Sequence, residues 1–149
     1  METIFNVVGI IIPIFFILYG LADILFPKWH VIGELAKGMD KKDDDKVFKR
    51  ATELSKKYQQ SMNRIRLMGI LYLIVAASAL ITRLLDIPDL YNNISTSVLI
   101  MLFGIERLLV PAFTFDNKGD ELKQKQAKNK KSAIRWLIIG VILLSMSFI

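Results

Sequence analysis

The chain has no cysteine and a single histidine in 149 residues. Without cysteine it can form no disulfide, thiol nucleophile or cysteine metal site. His30 has no second ligand near it in the sequence, which argues against a metal centre and a Ser-His-Asp triad. A glycine-rich phosphate loop is also missing. We therefore expect a protein that is not an enzyme and holds no metal or cofactor.

The sequence is instead rich in long apolar runs, and 53% of its residues are hydrophobic. The runs cover residues 4–26, 65–85, 98–113 and 134–149. A membrane-spanning helix needs about 20 apolar residues, and the first run stays apolar on every face, unlike a helix inside a soluble protein. The pattern predicts an all-α polytopic membrane protein with transmembrane helices at 4–27, 65–85, 94–113 and 133–149.

Two segments of ten residues, 18–27 and 102–111, resemble each other. They share Leu18/Leu102, Gly20/Gly104, Leu25/Leu109 and Pro27/Pro111. Each segment closes an apolar run and precedes a basic stretch, and the next apolar run then opens with Ile-Arg. The chain is therefore predicted to be a tandem pair of hairpins, repeat 1 over 4–85 and repeat 2 over 94–149, with polar connections at 28–64 and 114–132.

The basic residues predict an orientation, because eighteen of the twenty Lys and Arg lie within 28–66 and 111–135. By the positive-inside rule these connections are cytoplasmic and both termini lie outside the plasma membrane of the cell. The basic residues behind the net charge of +6 are then expected to be attracted to the anionic lipids of the inner leaflet. Nucleic acid is not expected, since no aromatic residues are interleaved with the basic ones for base stacking.

One apolar stripe marks the first connection. Apolar residues recur there at intervals of three and four, which is a helical period: Val47, Ala51, Leu54, Tyr58 and Met62. With Asp43–Asp45 as acids for the helix start and no Gly or Pro before Gly69, one long helix from about 44 to 84 is predicted, extending into the cytoplasm. The segment 31–39, the membrane surface, a second copy or a protein partner would cover the stripe.

Charged residues inside the predicted spans are costly and usually pair or face the bundle. Asp23 and Arg107 occupy equivalent positions in the two repeats with opposite charge, four residues before each proline. We predict an Asp23–Arg107 ion pair, with Glu106 paired to Arg66 or Arg135. The alternatives are separate snorkelling of each residue to the interface and a functional ion or substrate site.

Aromatic residues near the ends of the spans predict interfacial anchors, a position that Trp and other amphipathic rings favour. The candidates are Trp29, His30, Phe113 and Trp136.

A short pattern in residues 14–80 resembles small membrane proteins of Gram-positive bacteria whose function is unknown. It consists of Pro27-x-Trp29, Gly38, Leu54 with Tyr58, and Arg64-x-Arg66-x-x-Gly69-Ile70 before an apolar run. The second hairpin and the acidic run Asp43–Asp45 depart from that pattern. The resemblance implies a bacterial origin and this topology, and no activity.

Two functions fit these features. The small size, the missing catalytic groups and the stripe favour protein–protein interaction, as an accessory subunit of a membrane complex or an immunity protein against a membrane-active toxin. The alternative is a small dimeric transporter or channel that uses the Asp23/Glu106/Arg107 charges, since repeated hairpins occur in transporters.

Overall fold

In the computed structural model, the described residues are 2–37 and 44–149, with side chains described from residue 7 onward, and they are helical without strands. Gly38 and Asp43 lie outside this part of the chain. The helices, in chain order, are α1 (Glu2–Leu25), α2 (Lys28–Ala36), α3 (Asp44–Lys57), α4 (Gln59–Leu84), α5 (Asp89–Leu109) and α6 (Gly119–Met146).

The four longest helices pack in the order α1, α4, α5, α6, and α1 also touches α5. The short helices α2 and α3 pack on each other. They lie at the end of the bundle where α1 and α5 finish, which we call the basic end. The start of α1, the end of α6 and the turn between α4 and α5 lie at the other end, which we call the distal end.

Glycines bring the paired helices close together. A Cβ atom at Gly20 would lie 2.7 Å from the carbonyl oxygen of Gly69, and one at Gly104 would lie 2.9 Å from that of Ala133. Small residues permit this close approach of helix backbones in membranes. The two glycines that are equivalent in the sequence repeat therefore both lie where the first helix of a hairpin meets the second.

Two helices are long and apolar enough to cross a membrane, over Val7–Leu25 in α1 and Gln59–Leu84 in α4. Large apolar side chains on α1 face outward, and Ile11, Phe15 and Leu18 are each more than half exposed. The third predicted span ends earlier than expected, at Leu109. Val110 is extended because a residue before proline is disfavoured in the helical region.

The predicted continuous helix over 44–84 is wrong, because the chain breaks at Tyr58. Val47, Ala51 and Leu54 of α3 and Met62 of α4 pack with Val31 and Leu35 of α2 and with Val110 and Phe113 in one buried cluster. Tyr58 lies against this cluster with its ring 6.1 Å from that of Phe113. The chain itself covers the stripe that we considered as a partner-binding surface.

Candidate functional site

Glu106 of α5 is the centre of a buried polar cluster. Its side chain is almost fully buried, with 1% exposure. The hydroxyl of Tyr72, on α4, donates a hydrogen bond of 2.7 Å to Glu106 Oε2, and the hydroxyl of Tyr19, on α1, lies 3.4 Å from both carboxylate oxygens. Three helices therefore hold this carboxylate in place.

Asp23 lies beside Glu106 and is 5% exposed. Its Oδ2 atom is buried and has no hydrogen-bond partner. His30, at the start of α2, places Nδ1 3.7 Å from Oε1 of Glu106. One ligand atom from each of Asp23, His30 and Glu106 lies within 4.8 Å of the others, so these three residues are the group that could hold a metal ion.

The predicted ion pair between Asp23 and Arg107 is not formed. The Arg107 guanidinium lies instead over the ring of Phe103, one helical turn earlier, at 4.8 Å from its centroid. Its Nε atom is buried without a hydrogen-bond partner. Successive residues of a helix point about 100° apart, so a Glu106 that faces Tyr72 and Tyr19 turns Arg107 away along the side of α5.

The predicted partners of Glu106 are also corrected. Arg66 and Arg135 are both exposed, and in residues 2–37 and 44–149 the ion pair of Glu106 is with His30. Both arginines lie on faces of α4 and α6 that turn away from the cluster. The buried carboxylates therefore lack a paired basic side chain apart from the histidine.

A cavity of about 650 Å³ opens beside these groups, and we call it the carboxylate cavity. Its volume falls in the range of small-molecule sites, roughly 300–1,000 Å³. Its titratable and charged lining residues are Asp23, His30, Glu34, Lys37, Glu106 and Arg107, and the aromatic rings in its lining are Phe15, Phe16, Tyr19, Trp29, Phe103 and Trp136. Glu34 is paired with Lys37 and Lys125. The cavity is thus a mainly apolar, aromatic space in which Asp23 and Glu106 are the carboxyl groups without a Lys or Arg partner.

The four predicted anchors take different positions. Trp29 is largely exposed and Trp136 packs edge-on against Phe103, and both line the carboxylate cavity. Phe113 does not take the predicted interfacial position, because its side chain is 1% exposed in the buried cluster at the basic end. His30 also departs from the predicted role of a lone interfacial anchor, since its ring faces Glu106.

A second cavity, of about 880 Å³, lies toward the distal end, and we call it the distal cavity. Helices α1, α5 and α6 line it, as they do the carboxylate cavity, and Ile12 borders both. At its rim Arg83 donates a hydrogen bond of 2.8 Å to Asp89. The side-chain oxygen of Asn92 is buried there without a partner. The groove between α1 and α6 therefore holds two cavities in line, with Ile12 between them.

Sequence reasoning identified Asp23, Glu106 and Arg107 but missed Tyr19 and Tyr72. One signal for Tyr19 was available, because Tyr19 and Asp23 are four residues apart and share a helix face. Tyr72 carried no comparable signal, since its role depends on how α4 is rotated against α5. No protein-family model, curated protein or solved structure matches this chain.

Proposed function

We propose that the chain is a four-span protein of the bacterial plasma membrane, in which α1, α4, α5 and α6 all cross the bilayer. The outward-facing apolar side chains of α1 and the exposed Ile138, Val141 and Ile142 of α6 support this placement. The concentration of Lys and Arg at the basic end supports a cytoplasmic position for that end, by the positive-inside rule. Both termini then lie outside.

Within that membrane protein, the carboxylate cavity binds an organic cation with an apolar body, such as a hydrophobic amine. The observation that carries the proposal is the buried pair Asp23 and Glu106, which share one space without an ion-paired Lys or Arg. Negative charge on either carboxyl group is costly in this poorly solvated site, and a bound cation offsets that cost. The aromatic lining adds attraction for a positive charge through the ring faces.

The cation is moved along the groove between α1 and α6. The carboxylate cavity and the distal cavity lie in line along this groove and meet at Ile12. Pro13, next to Ile12, lies inside α1, and a proline removes one backbone hydrogen bond and favours a kink there. A change in the bend of α1 at Pro13 would open one cavity to the other.

The protein-binding role that the sequence favoured drew on the small size, the missing catalytic groups and the apolar stripe at Val47, Ala51, Leu54, Tyr58 and Met62. Since that stripe is buried within the chain, an accessory-subunit or immunity role would need another surface. The cavity, the absence of a Lys or Arg partner for Asp23 and Glu106, and the second cavity in line with it favour transport over that role.

Uptake into proteoliposomes tests this function. Methyl viologen, a permanent organic cation, is supplied outside vesicles that carry the purified protein and an inside-negative potential. We expect uptake by the wild type and its loss in Asp23→Asn and Glu106→Gln. The matched control is Asp86→Asn, an exposed carboxylate in the turn before α5. Equal uptake by all four proteins, or none above protein-free vesicles, would contradict the proposal.

A further inference from the structure

A separate pocket at the basic end carries only positive charge. It has a volume of about 330 Å³ and lies where α1 ends and α2 begins, against α3 and α4. Its charged residues are Lys28, Lys56 and Arg66, and no Asp or Glu lines it. The carboxylate cavity shares only Trp29 with it, so the two sites differ in place and in charge.

Polar side chains complete the positive side of this pocket. Thr52, Ser55 and Gln59 line it together with the three basic residues. The hydroxyls of Thr52 and Ser55 donate to the backbone carbonyls of Phe48 and Ala51, so the basic side chains are the charged donors that face the pocket. Lys28 is held in position, because its Nζ donates a hydrogen bond of 3.1 Å to Thr52 Oγ1 and stands 3.9 Å from the centre of the Phe48 ring. Lys and Arg side chains are common ligands of a phosphate.

Two helices also begin at the pocket. Lys28 is the first residue of α2 and Gln59 is the first residue of α4, and both line it. The backbone N–H groups of Trp29, His30, Ser61 and Met62 already donate to the carbonyls of Phe26, Pro27 and Tyr58. The attraction of this pocket for an anion therefore rests on the basic side chains.

The rest of the pocket wall is apolar and open to the surroundings. Leu25, Phe26 and Trp29 line it, and each is more than half exposed. A free phosphate would gain no binding energy from these apolar side chains. An amphiphile would place its phosphate on the basic residues and its acyl chains along the apolar ones.

We infer that this pocket binds the phosphate of an anionic glycerophospholipid of the cytoplasmic leaflet. The inference rests on the membrane placement proposed above and is independent of cation transport. At the depth where α1 ends, the pocket faces the lipid headgroups, and each Lys or Arg near an anionic leaflet adds to the attraction. A lipid bound here would hold the junction of α1 and α2 against α3 and α4.

Native mass spectrometry of the purified full chain in detergent tests the inference, with phosphatidylglycerol and phosphatidylcholine as the lipids. We expect the wild type to retain phosphatidylglycerol at least about tenfold better than phosphatidylcholine. The triple variant Lys28→Gln/Lys56→Gln/Arg66→Gln should lose that preference. A second triple variant, Lys123→Gln/Lys128→Gln/Lys130→Gln, removes three exposed charges of α6 outside the pocket and should keep it.

Three results would overturn the lipid site. One is equal retention of both lipids by the wild type. Another is loss of the preference in both triple variants alike, which would indicate diffuse attraction by the basic end. Displacement of phosphatidylglycerol by millimolar inorganic phosphate would show a free-anion site. If the triple pocket variant does not fold, the exposed Lys56→Gln alone should still weaken retention. No organic cation is present in this assay, so its outcome is separate from that of the uptake experiment.

Discussion

Tyr72 on α4 and Glu106 on α5 are joined by a 2.7 Å hydrogen bond between two side chains that are almost fully buried. The bond occupies Oε2 of the carboxylate, while Oε1 faces His30. It also crosses the interface between the two hairpins, because α4 belongs to the first and α5 to the second. One contact thus orients the charge of the cavity and links the two halves of the bundle.

Removal of the hydroxyl in Tyr72→Phe should destabilise the protein by about 1–2 kcal/mol, since a hydrogen bond to a buried charge is lost. Thermal unfolding in detergent should show a lower midpoint. Tyr91→Phe is the control, because Tyr91 is more than half exposed near the start of α5. An equal midpoint for the two variants would show that the Tyr72 bond contributes nothing.

Arg107→Gln should strengthen cation binding, because Arg107 is the one arginine that lines the carboxylate cavity and repels a positive ligand. At a separation of about 10 Å and an effective dielectric of about 20, the repulsion corresponds to roughly a tenfold change in affinity. Titration with tetraphenylphosphonium measures it. Arg135→Gln, on α6 and outside the cavity lining, should leave the affinity unchanged, and a gain in both variants would exclude a local effect.

The close contacts of glycine predict unequal effects of added methyl groups. Gly20→Ala and Gly104→Ala should each destabilise the bundle by about 1–3 kcal/mol, since the new Cβ would meet backbone oxygens of α4 and α6. At Gly33 on α2 nothing lies within 4 Å of a new Cβ, so Gly33→Ala should stabilise α2 by about 0.5–1 kcal/mol. Thermal unfolding of the three variants checks the order, and a destabilised Gly33→Ala would contradict it.

Orientation in the membrane can be measured with single cysteines, because the chain has none of its own. Cysteines at Thr3 and Asn93 should react with a membrane-impermeant maleimide added to intact cells. Those at Lys49 and Lys128 should react only after the cells are opened. Asn93 is chosen because it is exposed, whereas its neighbour Asn92 is buried. The reverse labelling pattern would invert the proposed topology.

The positions of the helices could be predicted from apolar runs and prolines, and the carboxylates could be placed near the basic end. The partners of the charges could not, because pairing Asp23 with Arg107 assumed that opposite charges at equivalent positions face each other. The rotation of α5 instead turns Glu106 inward and Arg107 onto Phe103. That rotation depends on packing at Gly104 and Tyr72, which periodicity alone does not reveal.

The break at Tyr58 was equally hidden in the sequence. No glycine or proline marks it, and the intervals of the stripe continue through it. What accompanies the break is tertiary packing, because Ala51 and Leu54 are buried in one cluster with Val31 and Leu35 of α2, and periodicity does not reveal that contact. Burial of a Leu side chain contributes about 2 kcal/mol.

In the proposed function, Asp23 and Glu106 bind a cation in the carboxylate cavity. Calorimetric titration of the detergent-purified protein with tetraphenylphosphonium tests it most directly, since every variant carries the same micelle. We predict saturable binding by the wild type, at least about tenfold weaker binding by Asp23→Asn and Glu106→Gln, and wild-type affinity in Asp86→Asn. Absence of saturable binding by the wild type, or the same affinity in all four proteins, would contradict the account.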